Sequence, residues 1–132
     1  MDKGFLIYVP NNIKVKQPIK LSSLLDGNSL FQYILIILEE NAKLTIIDES
    51  LSNENKNKQY YSKVIEIFQK ENSELNYFNL QNLKNNVYNF NYKKASLNKN
   101  SILNWFEFNL GSRLTYSETI TELNGEYAKT NN

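Results

Sequence analysis

The sequence predicts an all-β protein: a flattened right-handed parallel β-helix (a β-solenoid) with about two strands per turn and about four to five turns. Three observations favour this fold class. A short motif recurs about every 28 residues, apolar residues alternate with a period of two, and few segments resemble the tight turns of β-hairpins.

An asparagine marks each repeat. The motif is Asn, any residue, usually a charged residue, then a large apolar residue, and it begins at Asn12, Asn41, Asn72, Asn100 and Asn124, at separations of 29, 31, 28 and 24 residues. Strand-like runs precede the last four, at 33–38, 61–68, 87–97 and 114–123. Asn tolerates left-handed backbone dihedrals and bonds nearby backbone groups, so we expect a corner at each Asn and a strand on either side.

The residues after each corner alternate as in a half-buried strand. Ala42, Leu44 and Ile46 share one face, and the segments that follow Asn72 and Asn100 repeat the pattern. A strand advances about 3.3 Å per residue, so a period near 28 residues gives two strands of about ten residues with two corners. In the resulting coil, equivalent strands stack in parallel, and Leu44, Leu75 and Leu103 are predicted to form one interior ladder.

An antiparallel sandwich is the alternative all-β architecture. It predicts hairpin turns every 8 to 12 residues or so, and only 26–28 and 124–125 qualify. The polar stretch 50–59 lacks periodicity and is predicted to be a surface loop between turns. No linker divides the chain, so residues 1–132 are interpreted as a single partial β-helix domain.

Charge and residue types exclude several classes of function. The 15 Lys and Arg residues against 14 Asp and Glu give a net charge of +1, which argues against a nucleic-acid or anionic-membrane partner. The sequence contains no Cys and no His, the residues that dominate zinc and iron-sulfur sites. We therefore expect no catalytic residue, metal or cofactor site in this chain.

The chain also lacks the features of a secreted or membrane protein. A polar turn at 10–12 follows only a short apolar stretch, unlike a secretory signal, so a cytoplasmic location is expected. The longest apolar run, 31–38, is broken by Gln32 and is far shorter than the roughly 20 residues that span a bilayer. We interpret it as a buried strand.

A pair of carboxylates about 5 to 10 Å apart is typical of enzymes that hydrolyse glycosides. Neighbours in a strand point to opposite faces, so neither Glu39 with Glu40 nor Asp48 with Glu49 faces one substrate. Pairing across turns, such as Asp48 beside Asn79, brings only one acid. The sequence does not predict an enzyme, and a β-solenoid that binds or acts on polysaccharide is kept as the alternative function.

The aromatic strand at 88–92 has two interpretations. Tyr88, Phe90 and Tyr92 alternate with Asn89 and Asn91, which is compatible with a stacking surface for bases or sugars. Inward-packed aromatic side chains of a solenoid are the favoured interpretation.

Several non-repeating details resemble the SufB/SufD family over essentially the whole chain. The segments GFLIYVP (4–10) and VKQPI (15–19) are similar to the family's entry strands, and IILEENA (36–42) to its strand and acidic corner. The Gln81-Asn82 pair, the strand VYNF (87–90), Trp105 with LGS (110–112), and LNGEYA (123–128) continue the match in order.

The resemblance implies a scaffold component of iron-sulfur cluster assembly, the SUF system, acting with a SufC-like ATPase and a SufB/SufD-like subunit. It implies that the cluster is handled by the full complex and that most partner contacts lie in other regions of a longer protein. The chain is then similar to the first half of the β-helix core, and we expect a fragment rather than a truncated relative. Leu83, where SufB-like members tend to have an aromatic residue, favours the SufD-like branch.

Four polar residues match family positions that line a passage through the helix: Gln81, Asn82, Lys93 and Lys94. The competing interpretation is that the two amides bond their own backbone at a corner and that the lysines are solvated. A solenoid end exposes unpaired backbone and apolar side chains, so the chain is also expected to self-associate.

Overall fold

The computed structural model describes residues 2–132, and within them every regular element is a β-strand. The ten strands are β1 Lys3–Val9, β2 Ile19–Leu25, β3 Ser29–Leu38, β4 Lys43–Ser52, β5 Gln59–Gln69, β6 Glu74–Leu83, β7 Val87–Leu97, β8 Ile102–Gly111, β9 Leu114–Leu123 and β10 Lys129–Asn131.

The strands form two parallel sheets. Odd-numbered strands make one sheet in the order β1-β3-β5-β7-β9, and even-numbered strands make the other in the order β10-β8-β6-β4-β2. Each turn contributes one strand to each sheet, and every neighbouring pair is parallel. The predicted all-β solenoid with two strands per turn is confirmed, with five turns.

The asparagine corners have one shared geometry. Asn12, Asn41, Asn72 and Asn100 have φ angles of 57° to 62°, in the left-handed region. Each is the third residue of a four-residue turn, as where Ala42 N donates to Glu39 O at 3.2 Å, which is the pattern of a type II turn. The side chains also stack: Asn41 Nδ2 donates to Asn12 Oδ1 at 2.8 Å, and Asn100 Nδ2 to Asn72 Oδ1 at 3.2 Å.

The fifth corner is displaced from the predicted residue. Tyr127, with φ 60°, occupies the left-handed position, and Asn124 lies one residue before the turn. The turn begins at Gly125, where a side chain would not fit, since a Cβ on Gly125 would be 2.3 Å from Lys99 N at the previous corner. The prediction of a corner at Asn124 was therefore wrong by three residues, since the motif cannot show which backbone approaches closely.

The interior is apolar on the side of these corners. Leu44, Leu75 and Leu103 stand in register on β4, β6 and β8, which confirms the predicted ladder. Beside them Ile46, Tyr77 and Trp105 form a second ladder, and the Tyr77 and Trp105 rings lie 5.1 Å apart. Both ladders are buried.

The structure corrects the interpretation of the strand at 88–92. Asn89 and Asn91 point inward with 1% and 6% of their surface exposed, whereas Phe90 is 41% exposed on the outer face. Alternation shows which residues share a face but not which face is inside, and hydrophobicity gave the wrong answer because this half of the interior is polar.

The predicted loop at 50–59 is shorter than expected. Only 53–58 connect β4 to β5, while Ser50 and Ser52 belong to β4 and point inward, as Gln59 does on β5. Polar composition suggested a loop, but these side chains are satisfied inside the helix.

The corner geometry leads to a prediction about Asn72. Replacing Asn72 with Val should lower the free energy of unfolding by about 1–2 kcal/mol, because a β-branched residue is strained at positive φ. Asn72→Gly, which accepts the same φ, should cost less than half as much. Urea denaturation followed by circular dichroism measures both, and equal costs would contradict a backbone role for Asn72.

Candidate functional site

The half of the interior away from the asparagine corners is lined by polar side chains. Because strands alternate, Asp48 continues the inward face of Leu44 and Ile46, and Lys63 shares the inward face of Ile65 and Ile67. These polar residues form two groups, named here the Asp48 network and the Lys93 network.

A buried ion pair lies at the centre of the Asp48 network. Lys63 Nζ is 2.7 Å from Asp48 Oδ2, with side-chain exposures of 2% and 0%. The ammonium also donates to Ser50 Oγ, and the Tyr77 hydroxyl donates to Asp48 Oδ2, both at 2.7 Å. Burial, followed by the negative charge of Asp48, raises the pKa of Tyr77 well above its ordinary value, so Tyr77 remains a hydrogen-bond donor.

The Asp48 network extends from β4 and β5 across the interior to β3 and then to β2. Ser50 Oγ lies 3.2 Å from the Tyr61 hydroxyl, which donates to Gln32 Oε1 at 2.7 Å. Gln32 Nε2 in turn donates to Ser23 Oγ at 2.8 Å. The chain of bonds therefore ties β2, β3, β4 and β5 together through side chains.

The Lys93 network lies in the following turns. Lys93 Nζ pairs with Glu107 Oε1, and Glu107 Oε2 accepts a hydrogen bond from Asn79 Nδ2 at 3.0 Å. The ammonium also lies 5.5 Å from the centre of the Trp105 ring. Burial, and then the positive charge of Lys63, lower the pKa of Lys93 to about 8, although the charge of Asp48 acts in the opposite direction.

The four residues singled out from the sequence separate into two pairs. Gln81 and Lys93 point into the helix and are each 2% exposed, whereas Asn82 and Lys94 point outward. Members of each sequence-adjacent pair lie on opposite faces because neighbours in a strand alternate. The structure thus brings Gln81 and Lys93 into one interior and leaves the other two on the surface.

The competing interpretation assigned the amides to bonds with their own backbone and the lysines to solvent. It agrees with the position of Lys94 and disagrees with those of Gln81 and Lys93. Lys94 Nζ is 3.3 Å from Glu122 Oε1 on the outer face. Gln81 does not bond its own backbone: it donates to Gly111 O at 3.0 Å and Thr115 Oγ1 at 2.9 Å, and it accepts from Asn89 at 2.6 Å. Lys93 is buried rather than solvated.

Sequence reasoning missed Asp48 and Lys63, which are buried inside the β-helix, and Glu107, whose side chain is 31% exposed and pairs with Lys93. Asp48, Lys63 and Glu107 were not candidates for a shared site, although the predicted register of Asp48 beside Asn79 is confirmed. A usable signal was present: Asp48 and Lys63 have the same parity as the apolar residues of their strands, which places a charge on a buried face.

The Asp48 and Lys93 networks hold paired charges, but their residues do not fit an iron-sulfur cluster. The sequence supplies no thiolate or imidazole. Among residues 2–132 no group of three or more His, Cys, Asp or Glu residues could hold a metal ion. Near β9, a cavity of about 250 Å³ lies beside Lys93, Trp105, Glu107 and Thr119.

The family model described as the SufBD core domain of the SUF system for FeS cluster assembly matches residues 22–132. The chain belongs to the SufBD family. The resemblance noted in the sequence is thereby confirmed. Separately, the part of the chain that the structure describes contains no helix able to cross a membrane.

Curated relatives agree with the family. The chain is 31% identical to an iron-sulfur cluster assembly SufBD family protein of Staphylococcus epidermidis, 33% to one of Staphylococcus aureus and 30% to the iron-sulfur cluster assembly protein SufB of Bacillus subtilis, each over 128 residues. Each match covers 96% of the chain and 28% of the relative. No solved structure matches the chain. Because one SufBD relative is named SufB, the SufD-like branch stays a prediction.

The Asp48–Lys63 pair predicts a strongly asymmetric response to mutation. Lys63→Met should lower the free energy of unfolding by about 3–5 kcal/mol, because it leaves a buried carboxylate without its counter-charge. Adding Asp48→Asn, which removes that charge and keeps an acceptor for Tyr77, should recover at least half of the loss. Urea denaturation of both single variants and the double variant tests this, and additive losses would contradict it.

The lowered pKa of Lys93 predicts a rise in stability at alkaline pH. Below about pH 8 Lys93 is protonated in the folded and unfolded chains, and between pH 8 and 10.5 only the unfolded chain keeps the proton. The free energy of unfolding should therefore increase by about 1 kcal/mol between about pH 7.5 and pH 9. Lys93→Met should lack this increase. Parallel pH profiles of the two proteins would contradict the assignment.

Proposed function

We propose that this chain is a non-catalytic scaffold segment in iron-sulfur cluster assembly, acting in the cytoplasm within a complex that contains a SufC-type ATPase and a SufB/SufD-like subunit. The observation that carries the proposal is the SufBD core match over residues 22–132 on a closed, two-sheet β-solenoid.

The interior supports a structural role rather than catalysis. Its charged groups neutralise one another: Asp48 is bound by Lys63, and Glu107 by Lys93. A general base or nucleophile must reach its substrate, whereas Asp48 and Lys63 are almost wholly enclosed by protein. The cluster is the cargo of the assembly, and residues outside this chain must ligate it, since no Cys or His is present.

The partners are proposed from the family, because the chain spans only 28% of the length of the relatives it matches. The odd-numbered sheet adds two edges capable of pairing with protein. Strands β1 and β9 each have a neighbour on one side only within their sheet, and Leu114 and Leu123 of β9 are 51% and 52% exposed. Unpaired backbone beside apolar side chains favours association with a SufB/SufD-like strand or with a second copy of the chain.

The polysaccharide alternative receives no support from the family match or from the names of the relatives. The carboxylate considered for it, Asp48, is enclosed in the β-helix with Lys63 and Tyr77. We do not propose a glycan-directed function.

Co-purification tests the proposed function. A tagged chain, co-expressed with the SufC-type ATPase and the SufB/SufD-like subunit of its own genome, should elute with them in a single complex. The same co-expression with an untagged chain provides the control for non-specific retention. After anaerobic incubation with iron and sulfide, the complex should show cluster absorption and the chain alone should not. Elution apart from both proteins, or a cluster on the isolated chain, would overturn the proposal.

A further inference from the structure

The outer face of the even-numbered sheet carries an apolar patch, bordered on the β2 side by Lys20 and Glu49, which pair at 3.1 Å. It is named here the Phe106 patch and consists of Ile47 on β4, Phe78 and Leu80 on β6, and Phe106, Phe108 and Leu110 on β8. Phe106, Phe108 and Leu110 are 40%, 48% and 62% exposed. Register aligns the patch across strands, since Ile47, Phe78 and Phe106 are successive partners and Leu80 stands beside Phe108.

The patch has a definite shape. The rings of Phe78 and Phe106 stack with centroids 4.4 Å apart and an interplanar angle of 10°. Beside them a groove of about 600 Å³ is lined by Pro18, Thr45 and Ile47 together with the two rings. The stacked rings form one wall of a shallow trough that is open to solvent.

Positive charge borders the trough on the side of the asparagine corners. Lys14, Lys43, Glu74, Ile102 and Lys129 are successive cross-strand neighbours there. Lys43 is paired with Glu74 at 3.1 Å, so the column has an excess of two positive charges from Lys14 and Lys129, which are both exposed. Acidic groups on a partner would therefore be favoured at this border.

The size of the patch decides between kinds of partner. Three or four strands about 4.8 Å apart, with about four residues of each at about 3.3 Å per residue, give a patch of roughly 15 by 13 Å. This is about a quarter of the roughly 800 Å² that each partner buries in a standard protein interface. A second copy packed on this face alone would bury too little area for a stable dimer.

A single helix has the matching dimensions. An α-helix is about 10 Å wide and rises 1.5 Å per residue, so about ten residues cover the patch. Parallel sheets are also commonly covered by helices, whose apolar stripe complements the apolar part of a sheet face. We propose that the Phe106 patch binds an acidic amphipathic α-helix of a partner protein, with its apolar stripe on Phe78 and Phe106 and its acidic flank toward Lys14 and Lys129.

The opposite outer face provides a matched control. Phe90 on the odd-numbered sheet is 41% exposed, almost the same as Phe106 at 40%. The outward residues of β5, β7 and β9 on that face, however, carry an excess of negative charge, since Glu66, Glu118 and Glu122 stand against Lys94 alone, which disfavours an acidic helix. The proposal concerns only the even-numbered sheet and does not depend on the role in cluster assembly.

The test uses designed helical peptides as probes. Three fluorescent peptides of about 14 residues are compared. The acidic peptide carries Glu beside an apolar stripe, and the basic peptide carries Lys beside the same stripe. The third peptide contains the residues of the acidic peptide in scrambled order. Fluorescence anisotropy with the 132-residue chain should show saturable binding of the acidic peptide and at least tenfold weaker binding of the other two. Phe106→Thr should weaken the acidic peptide at least tenfold, and Phe90→Thr should leave it unchanged.

A charge-reversed variant completes the test. Lys14→Glu combined with Lys129→Glu should shift the preference of the chain from the acidic to the basic peptide. Phe106→Thr and Phe90→Thr should both keep the circular dichroism spectrum of the unchanged chain. Four results would overturn the proposal: no binding of the acidic peptide, equal binding of the acidic and basic peptides, equal weakening by Phe106→Thr and Phe90→Thr, or a dimer in sedimentation that Phe106→Thr abolishes, which would assign the patch to a second copy.

Discussion

The register of parallel strands is the constraint on which the rest of this structure depends. At four successive corners an asparagine in the left-handed region closes the turn, and two pairs of these side chains hydrogen-bond across turns. The corner fixes where each strand starts relative to the one before it. Because a shift of one residue would exchange the inner and outer faces of a strand, the corners decide the composition of both.

The same register divides the interior into an apolar half and a polar half. Leucine stacks on leucine near the asparagine corners, while Asp48 stands beside Asn79 and Lys63 beside Asn91 farther along the strands. Burying a charge is costly unless it is paired and hydrogen-bonded, and Asp48 and Lys63 meet both conditions through Ser50 and Tyr77. The pair spans the two sheets, so it also holds them in one relative position.

Membership of the SufBD family gives this organisation a biological setting, and the separation of faces suggests how the segment is used. The interior charges are committed to one another, whereas the outer face of the even-numbered sheet presents Phe78 and Phe106 to solvent. A surface that is apolar, in register and bordered by lysines is suited to association. The segment therefore offers its outside, rather than its inside, to partners in the functions proposed here.

The sequence by itself determined the class of fold, the two-strand turn and the leucine ladder, because a repeat and a period of two are local properties that survive without coordinates. It did not determine which side of the strand 88–92 is inside, since apolar residues lie outside where Asn89 and Asn91 fill a polar interior. It placed the last corner at Asn124, whereas the left-handed residue is Tyr127 and the turn starts at Gly125, whose backbone lies against Lys99 of the previous turn. The site followed the same division: Gln81 and Lys93 were visible in the sequence, but the Lys93–Glu107 and Asp48–Lys63 pairs form only when strands of the two sheets enclose one interior, where a buried charge is stable only beside its partner.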